Sequence, residues 1–239
     1  MQPALKQYPS SIEQNISYYN EIAEQYDEIL DGDYSNENIR QKVAFVFMKL
    51  LPGGLVLDFG GGTGRDLPWL AENGYKVIFC EPSVKMREKA IQYSKTGLQN
   101  NNIVFLKGAA TDFAHWPVQL PFSQKADAVL ANFAVINNIP AIAPLFKHFS
   151  LVTRPGAHLL MLVLRTDLKN NWRSNRLATL RSMVSSQTVT IETEFNGHRQ
   201  KVYLHSTRQL KKAAAPWFRF QGSDLLKARD FSLLHFSRK

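Results

Sequence analysis

Val56-Leu57-Asp58-Phe59-Gly60-Gly61-Gly62-Thr63-Gly64-Arg65 is a short apolar strand that runs into a glycine loop opening a helix. The glycines let the backbone turn sharply and leave bare main chain for a ligand to lie against. One short helix later, Tyr75-Lys76-Val77-Ile78-Phe79-Cys80-Glu81-Pro82-Ser83 is a second apolar strand ending on an acid. An acid at the tip of that strand is placed to accept both hydroxyls of a ribose. Together the two segments describe a nucleoside site in an α/β fold.

The loop argues against a dinucleotide. A pyrophosphate needs free backbone N–H groups at a helix N-terminus and no negative charge nearby. Asp58 stands at the mouth of the loop, where it repels phosphate and suits a cation. The spacing Gly60-x-Gly62-x-Gly64 also differs from G-x-G-x-x-G, and no Gly-Lys-Ser/Thr follows the strand, which excludes a P-loop. S-adenosylmethionine has a ribose, an ammonium and a sulfonium but no phosphate, and it fits better.

On these residues the chain resembles the class I S-adenosylmethionine-dependent methyltransferases. The first motif matches their Leu-Asp-x-Gly-x-Gly-x-Gly pattern without a gap, and Glu81-Pro82-Ser83-Val84-Lys85-Met86 is similar to their acid-x-Ser-x-x-Met segment. Upstream, Tyr18-Tyr19-Asn20-Glu21-Ile22-Ala23-Glu24-Gln25-Tyr26-Asp27 is similar to the Tyr-x-x-x-Ala-x-x-Tyr-Asp helix of many small-molecule members. Downstream, Ala126-Asp127-Ala128-Val129-Leu130-Ala131-Asn132 resembles their fourth strand. The resemblance runs over residues 18–165 in the family's order. It implies a Rossmann-like, doubly wound, mostly parallel seven-stranded sheet with an antiparallel last strand. N-terminal helices and a hairpin lid insert complete that picture.

The 239 residues suit one large α/β domain spanning 1–239, with a helical cap over 12–51 and a substrate-covering insert over 166–205. No apolar run approaches a membrane span, and the first residues lack a signal-peptide stretch, so no membrane partner is expected. Cys80 is the sole cysteine, which rules out an intrachain disulfide and suits a reducing, cytoplasmic setting. Charge is uneven: residues 1–150 carry 13 Lys+Arg against 15 Asp+Glu, residues 151–239 carry 16 against 5. That excess reads either as attraction for an acidic substrate or nucleic acid, or as a solvated basic surface.

Hydrophobic spacing predicts one amphipathic helix over residues 12–30, with Ile12, Ile16, Tyr19, Ala23, Tyr26 and Leu30 on one face, and a second helix over 37–51. Strands follow at 55–58, 76–80, 103–106, 126–131 and 158–164, the last entered through the turn Arg154-Pro155-Gly156. Thr188 to Phe195, the turn Asn196-Gly197, and His198 to Leu204 form a hairpin. A helix capped by Ser206 and two terminal strands close the chain.

The resemblance implies that S-adenosylmethionine is held by Tyr26, Asp58, Gly60, Gly61, Gly62, Thr63, Gly64, Glu81, Pro82, Met86, Ala110, Thr111, Asn132 and Phe133. In that picture Glu81 binds the ribose, Asp58 lies near the ammonium, and Pro82 and Met86 pack on the adenine. Ala109 stands where many relatives have an acid that accepts from the adenine amino group, so Asp112 or a backbone carbonyl takes over. For the methyl acceptor the expected residues are Tyr18, Asn137, Trp172, Arg173, His198, Tyr203, His205 and Arg208, a mixture of rings and forked donors suited to a planar or anionic metabolite. No catalytic residue stands out: an amide at Asn137 or Asn138, where relatives often carry His, is no base at neutral pH. No metal site is expected. A small-molecule methyltransferase is the leading expectation, a nucleic-acid methyltransferase the second, and a non-catalytic cofactor-binding domain the third.

Overall fold

The computed structural model describes residues 11–31, 34–97, 102–164, 188–224 and 231–239. Helices α1 (Ser11–Ile22), α2 (Tyr26–Asp31) and α3 (Tyr34–Leu50) come first. An alternating series follows: β1 (Leu55–Phe59), α4 (Leu67–Glu72), β2 (Lys76–Cys80), α5 (Val84–Gly97), β3 (Ile103–Phe105), β4 (Ala126–Ala131), α6 (Ile142–Val152) and β5 (Thr153–Leu164). Then come the hairpin β6 (Val189–Phe195) and β7 (His198–Leu204), α7 (Thr207–Ala214), β8 (Phe218–Asp224) and β9 (Phe231–Arg238).

Seven strands make one sheet in the order β3-β2-β1-β4-β5-β9-β8, with the hairpin as a separate two-stranded sheet. Every pair from β3 to β5 is parallel, and β9 runs antiparallel to both β5 and β8. This is the doubly wound sheet with an antiparallel last strand. Its central strands are buried on both faces, which is why they read as continuous apolar runs. Leu55, Leu57 and Phe59 pack on one side with Phe146 and Phe149 of α6 and Leu210 of α7. Val56 points to the other side, with Val43 and Phe47 of α3 and Leu67 and Leu70 of α4. The order reverses between β1 and β4, and the crevice beyond their carboxyl ends is where such sheets bind ligands.

Two elements depart most from expectation, each for a local reason. The helix expected over 12–30 breaks between Ile22 and Tyr26, where Lys89 Nζ of α5 donates to Ala23 O at 3.0 Å and Glu24 O at 3.2 Å. The Ala23 carbonyl is shared with only a long 3.4 Å bond from Tyr26 N, a three-residue turn in place of the regular helical one. Strand β5 begins at Thr153, which pairs with Ala126. The turn expected at 154–156 is an irregularity inside the strand, with Gly156 at φ 80°. The hairpin turn has positive φ at both Asn196 (50°) and Gly197 (79°), the type I′ combination for which Asn-Gly is favoured. Ser206 and Gln209 form a reciprocal capping box at the start of α7.

Across β5 and β9, His158 Nδ1 faces His235 Nε2 at 3.0 Å. Burial and the neighbouring His158 push His235 down to about 4, and burial and Arg154 lower His158. The unfolded chain takes up these protons near pH 6.5 while the folded one resists, so this contribution is complete above pH 6.5 and is lost as pH falls toward 4. On going from pH 7 to pH 5 the pair by itself should therefore lower the denaturation midpoint, so His235→Gln should gain stability relative to the unmutated protein over that interval. An unchanged difference between the two midpoints would exclude the pair as a source of pH dependence.

Candidate functional site

At the carboxyl ends of β1, β2 and β4 lies a cavity of about 480 Å³, within the ~300–1,000 Å³ range of small-molecule sites. Its floor is the glycine loop. Gly60 N donates to Cys80 O at 2.7 Å, strapping the loop to β2, and Gly60, Gly62 and Gly64 have φ of 71°, 58° and 86°. These left-handed conformations strain any residue with a Cβ.

Glu81 follows β2 and is buried at the cavity wall. Its Oε1 accepts from Ser83 N at 2.8 Å and its Oε2 from Gly62 N at 3.0 Å. Burial raises its pKa to about 7, against the two N–H bonds and the Arg87 guanidinium, which favour the charged form. Each oxygen keeps a further lone pair, so incoming hydroxyl donors would draw the group fully to the carboxylate.

Beneath the loop lies a buried polar layer. Asp66 accepts from Arg40 Nη1 at 2.7 Å, Trp69 Nε1 at 2.9 Å and Asn132 Nδ2 at 3.0 Å. Asp58 is buried beside it, and its Oδ2 has no hydrogen-bond partner among the described residues. Burial and the Asp66 charge push its pKa up, while Arg40 opposes them. After β4 the backbone enters the left-handed region at Phe133 (φ 46°) and Ala134 (φ 62°). Such strain persists only where surrounding structure holds it, here with Ala134 N donating to Leu162 O at 2.9 Å and the Arg40 guanidinium 4.4 Å over the Phe133 ring.

Of the residues expected to hold the cofactor, Tyr26, Gly60, Gly62, Glu81, Pro82, Met86, Thr111 and Phe133 line the cavity. Asp58, Gly61, Thr63, Gly64, Ala110 and Asn132 are not on its wall. Asn132 instead ties Asp66 to the Phe133 N–H, Ala110 packs into the core, and Thr63 Oγ1 donates to Asp27 Oδ1 at 2.6 Å, clipping α2 to the loop. Asp112, offered as a substitute for the acid missing at Ala109, does line the cavity.

The expected acceptor residues fare differently, and none of those described lines the cavity. Trp172 and Arg173, with most of the expected insert, lie outside the described residues. Asn137 is buried, donates to Tyr203 O at 2.8 Å and accepts from Leu164 N at 2.9 Å, so it clamps β7 to β5. Buried His205 has Nε2 2.8 Å from Ile139 O and Nδ1 3.2 Å from the Thr188 hydroxyl, and burial lowers its pKa. Tyr18 is buried edge-on against Tyr19, Tyr203 is buried in β7, His198 sits at the hairpin turn and Arg208 is exposed on α7.

Helix α1, not the hairpin, faces the cavity through Ile12, Glu13, Asn15, Ile16 and Tyr19. The hairpin backs the helix: Asn15 donates to Lys201 O at 2.8 Å and accepts from Lys201 N at 2.9 Å, imitating a strand partner. Also on the lining are Phe59, Phe113, Ala114, Val135, Asn138 and Ile139, of which only Asn138 was considered from sequence, as an amide where relatives often carry His. Asn137→Ala would take this partner from the buried Tyr203 O and the partly buried Leu164 N, at about 1–3 kcal/mol for the buried group. A denaturant midpoint near that of the unmutated protein would contradict the clamp.

A family model described as a methyltransferase domain matches residues 29–215, most of the chain. The chain belongs to that methyltransferase family. Demethylmenaquinone methyltransferase of Beutenbergia cavernae is 33% identical over 111 residues, 46% of this chain and 40% of that one. The tRNA 5-carboxymethoxyuridine methyltransferase of Escherichia coli K12 is 31% identical over 102 residues, 40% of this chain and 39% of that one. The chain thus spans about two-fifths of the length of these curated relatives. Its fold is also that of the crystal structure of magnesium protoporphyrin IX methyltransferase from Synechocystis PCC 6803 with bound SAH. The TM-score is 0.66 at 18% identity, covering 96% of this chain and all of that one. Among the described residues no helix is long and apolar enough to cross a membrane, and no cluster of metal-ligating side chains occurs.

Proposed function

We propose that this methyltransferase uses S-adenosylmethionine to methylate a small molecule held under helix α1. The observation that carries the proposal is one cavity of about 480 Å³ that joins the Glu81 carboxylate and the glycine loop to an apolar chamber beneath α1. The residues present fit the cofactor. Glu81 has lone pairs left for a ribose diol, and Pro82 and Met86 offer an apolar surface to the adenine. Asp58 lies behind Gly61 and off the cavity wall, and a cation bound in front of the loop would favour its charged form, which burial and Asp66 otherwise oppose. When bound, the cofactor supplies an activated methyl group on a good leaving group. The chain then contributes position and exclusion of water.

Calorimetry with S-adenosylhomocysteine, paired with transfer of labelled methyl to extracted metabolites, tests this. Absence of binding would end the proposal, as would tight binding of NAD in its place.

Nucleic acid is the second reading, supported by the 16 Lys+Arg against 5 Asp+Glu after residue 150 and by the relative that acts on tRNA. Against it, Arg208 and the hairpin lie away from the cavity, and several basic groups are occupied locally. Lys211 sits 4.4 Å over the Phe220 ring, and Arg238 Nη1 donates to Trp217 O at 2.9 Å. We expect no appreciable RNA binding at ~0.15 M salt, where charges beyond ~8 Å are screened. Micromolar RNA affinity that falls steeply with added salt would favour the second reading.

A further inference from the structure

Building on the S-adenosylmethionine assignment, we propose that Tyr19, held by Asn138, orients the methyl acceptor. The acceptor is an uncharged, largely apolar molecule that offers a hydrogen-bond acceptor to the Tyr19 hydroxyl. The placement comes from three elements that meet at one point. Tyr19 is on α1 and lines the cavity, and its oxygen accepts from Asn138 Nδ2 at 3.3 Å. Asn138 is itself held, because its Oδ1 accepts from Asn15 Nδ2 at 3.3 Å and Asn15 is anchored on Lys201 of β7. With the oxygen used as an acceptor, the Tyr19 hydrogen remains to donate. Edge contacts with Tyr18 at 5.3 Å and Tyr26 at 6.0 Å fix the ring.

Burial raises the Tyr19 pKa, so the hydroxyl keeps its proton and serves as a donor, not a base. Around it Ile12, Ile16, Val135 and Ile139 form apolar walls. Apart from Tyr19 and Tyr26, the ionisable side chains on the described lining are Glu13, Glu81 and Asp112, all acidic. A carboxylate or phosphate acceptor would meet Glu81 and Asp112 at the margins of an apolar chamber. A neutral ring bearing a lone pair would bury its faces and satisfy Tyr19. Of the planar or anionic metabolite expected from the rings and forked donors, this proposal takes the planar alternative.

Three probes of one shape separate the contributions: quinoline, naphthalene and 2-naphthoate. Saturation-transfer NMR in the presence of S-adenosylhomocysteine reads their binding, with calorimetry following S-adenosylhomocysteine itself. Quinoline should bind more tightly than naphthalene by about five- to tenfold, the worth of one hydrogen bond, and 2-naphthoate should bind most weakly. Tyr19→Phe, which keeps the ring and its packing, should erase the quinoline preference and leave S-adenosylhomocysteine affinity unchanged. Asn138→Ala should reduce the preference. A preference that survives Tyr19→Phe, or 2-naphthoate binding most tightly, overturns the proposal while leaving the cofactor assignment standing. Failure of the unmutated protein to bind S-adenosylhomocysteine overturns both.

Discussion

Glu81→Ala should weaken S-adenosylhomocysteine binding by about 1.5–3 kcal/mol, since charge-assisted bonds to the ribose are lost. Unchanged affinity in a folded variant would remove Glu81 from the site. The pKa of about 7 makes a second, independent demand. The unfolded value is near 4.5, so Glu81 contributes stability that is complete below pH 4.5 and is lost as pH rises through 7. Burying a charged carboxylate with two N–H donors and the Arg87 field does not fully offset the lost water. A cofactor that supplies two hydroxyl donors favours the charged form, so its affinity should rise with pH through 7. The thermal shift it produces should be larger at pH 8 than at pH 6. A shift independent of pH would show that the ligand does not engage this carboxylate.

Gly61→Ala and Gly62→Ala, neighbours in one loop, should fail in opposite ways. A Cβ on Gly61 would lie 2.2 Å from Phe79 Cε2 and 2.6 Å from Asp58 Oδ2, and both residues are buried. Neither can withdraw without disturbing β1 and β2, so the fold should lose ~3 kcal/mol, the upper end of overpacking costs. A Cβ on Gly62 finds only Tyr26 Cε1 at 3.8 Å, but φ is 58° and the residue lines the cavity. That variant should fold with ~1–2 kcal/mol of backbone strain and lose cofactor affinity through obstruction. Urea midpoints and calorimetry on both variants separate the two failures. Normal cofactor binding by Gly62→Ala would displace the ligand from this loop.

The strand–glycine loop–helix and the acid after β2 were legible because they are local: positive φ demands glycine, and an acid ending a buried strand has few structural uses. Asn196-Gly197 and Ser206 were legible for the same reason, since turn and cap chemistry depend on neighbouring residues. Such local rules, repeated along the chain, are enough to determine the alternating architecture, the parallel sheet and the end of the cavity formed by the glycine loop and Glu81.

The acceptor end was not legible, and particular residues show why. Ile12, Ile16 and Tyr19 were seen as an apolar helical stripe, but periodicity cannot distinguish a stripe that faces packed core from one that faces a cavity. Asn137 and His205 look like chemistry in one dimension, yet each satisfies backbone groups contributed by distant segments, Leu164 and Tyr203 for the first and Ile139 for the second. Asn138, adjacent to Asn137 in sequence, faces the cavity instead, because a single 3₁₀ turn over Val135–Asn138 sends the two side chains in different directions. The sequence by itself determined the fold and the conformation of the glycine loop, where short-range backbone geometry governs. Only the tertiary structure decided which residues wall the far end of the cavity, because α1, the hairpin and the turn after β4 come together by packing against one another across more than a hundred residues of chain.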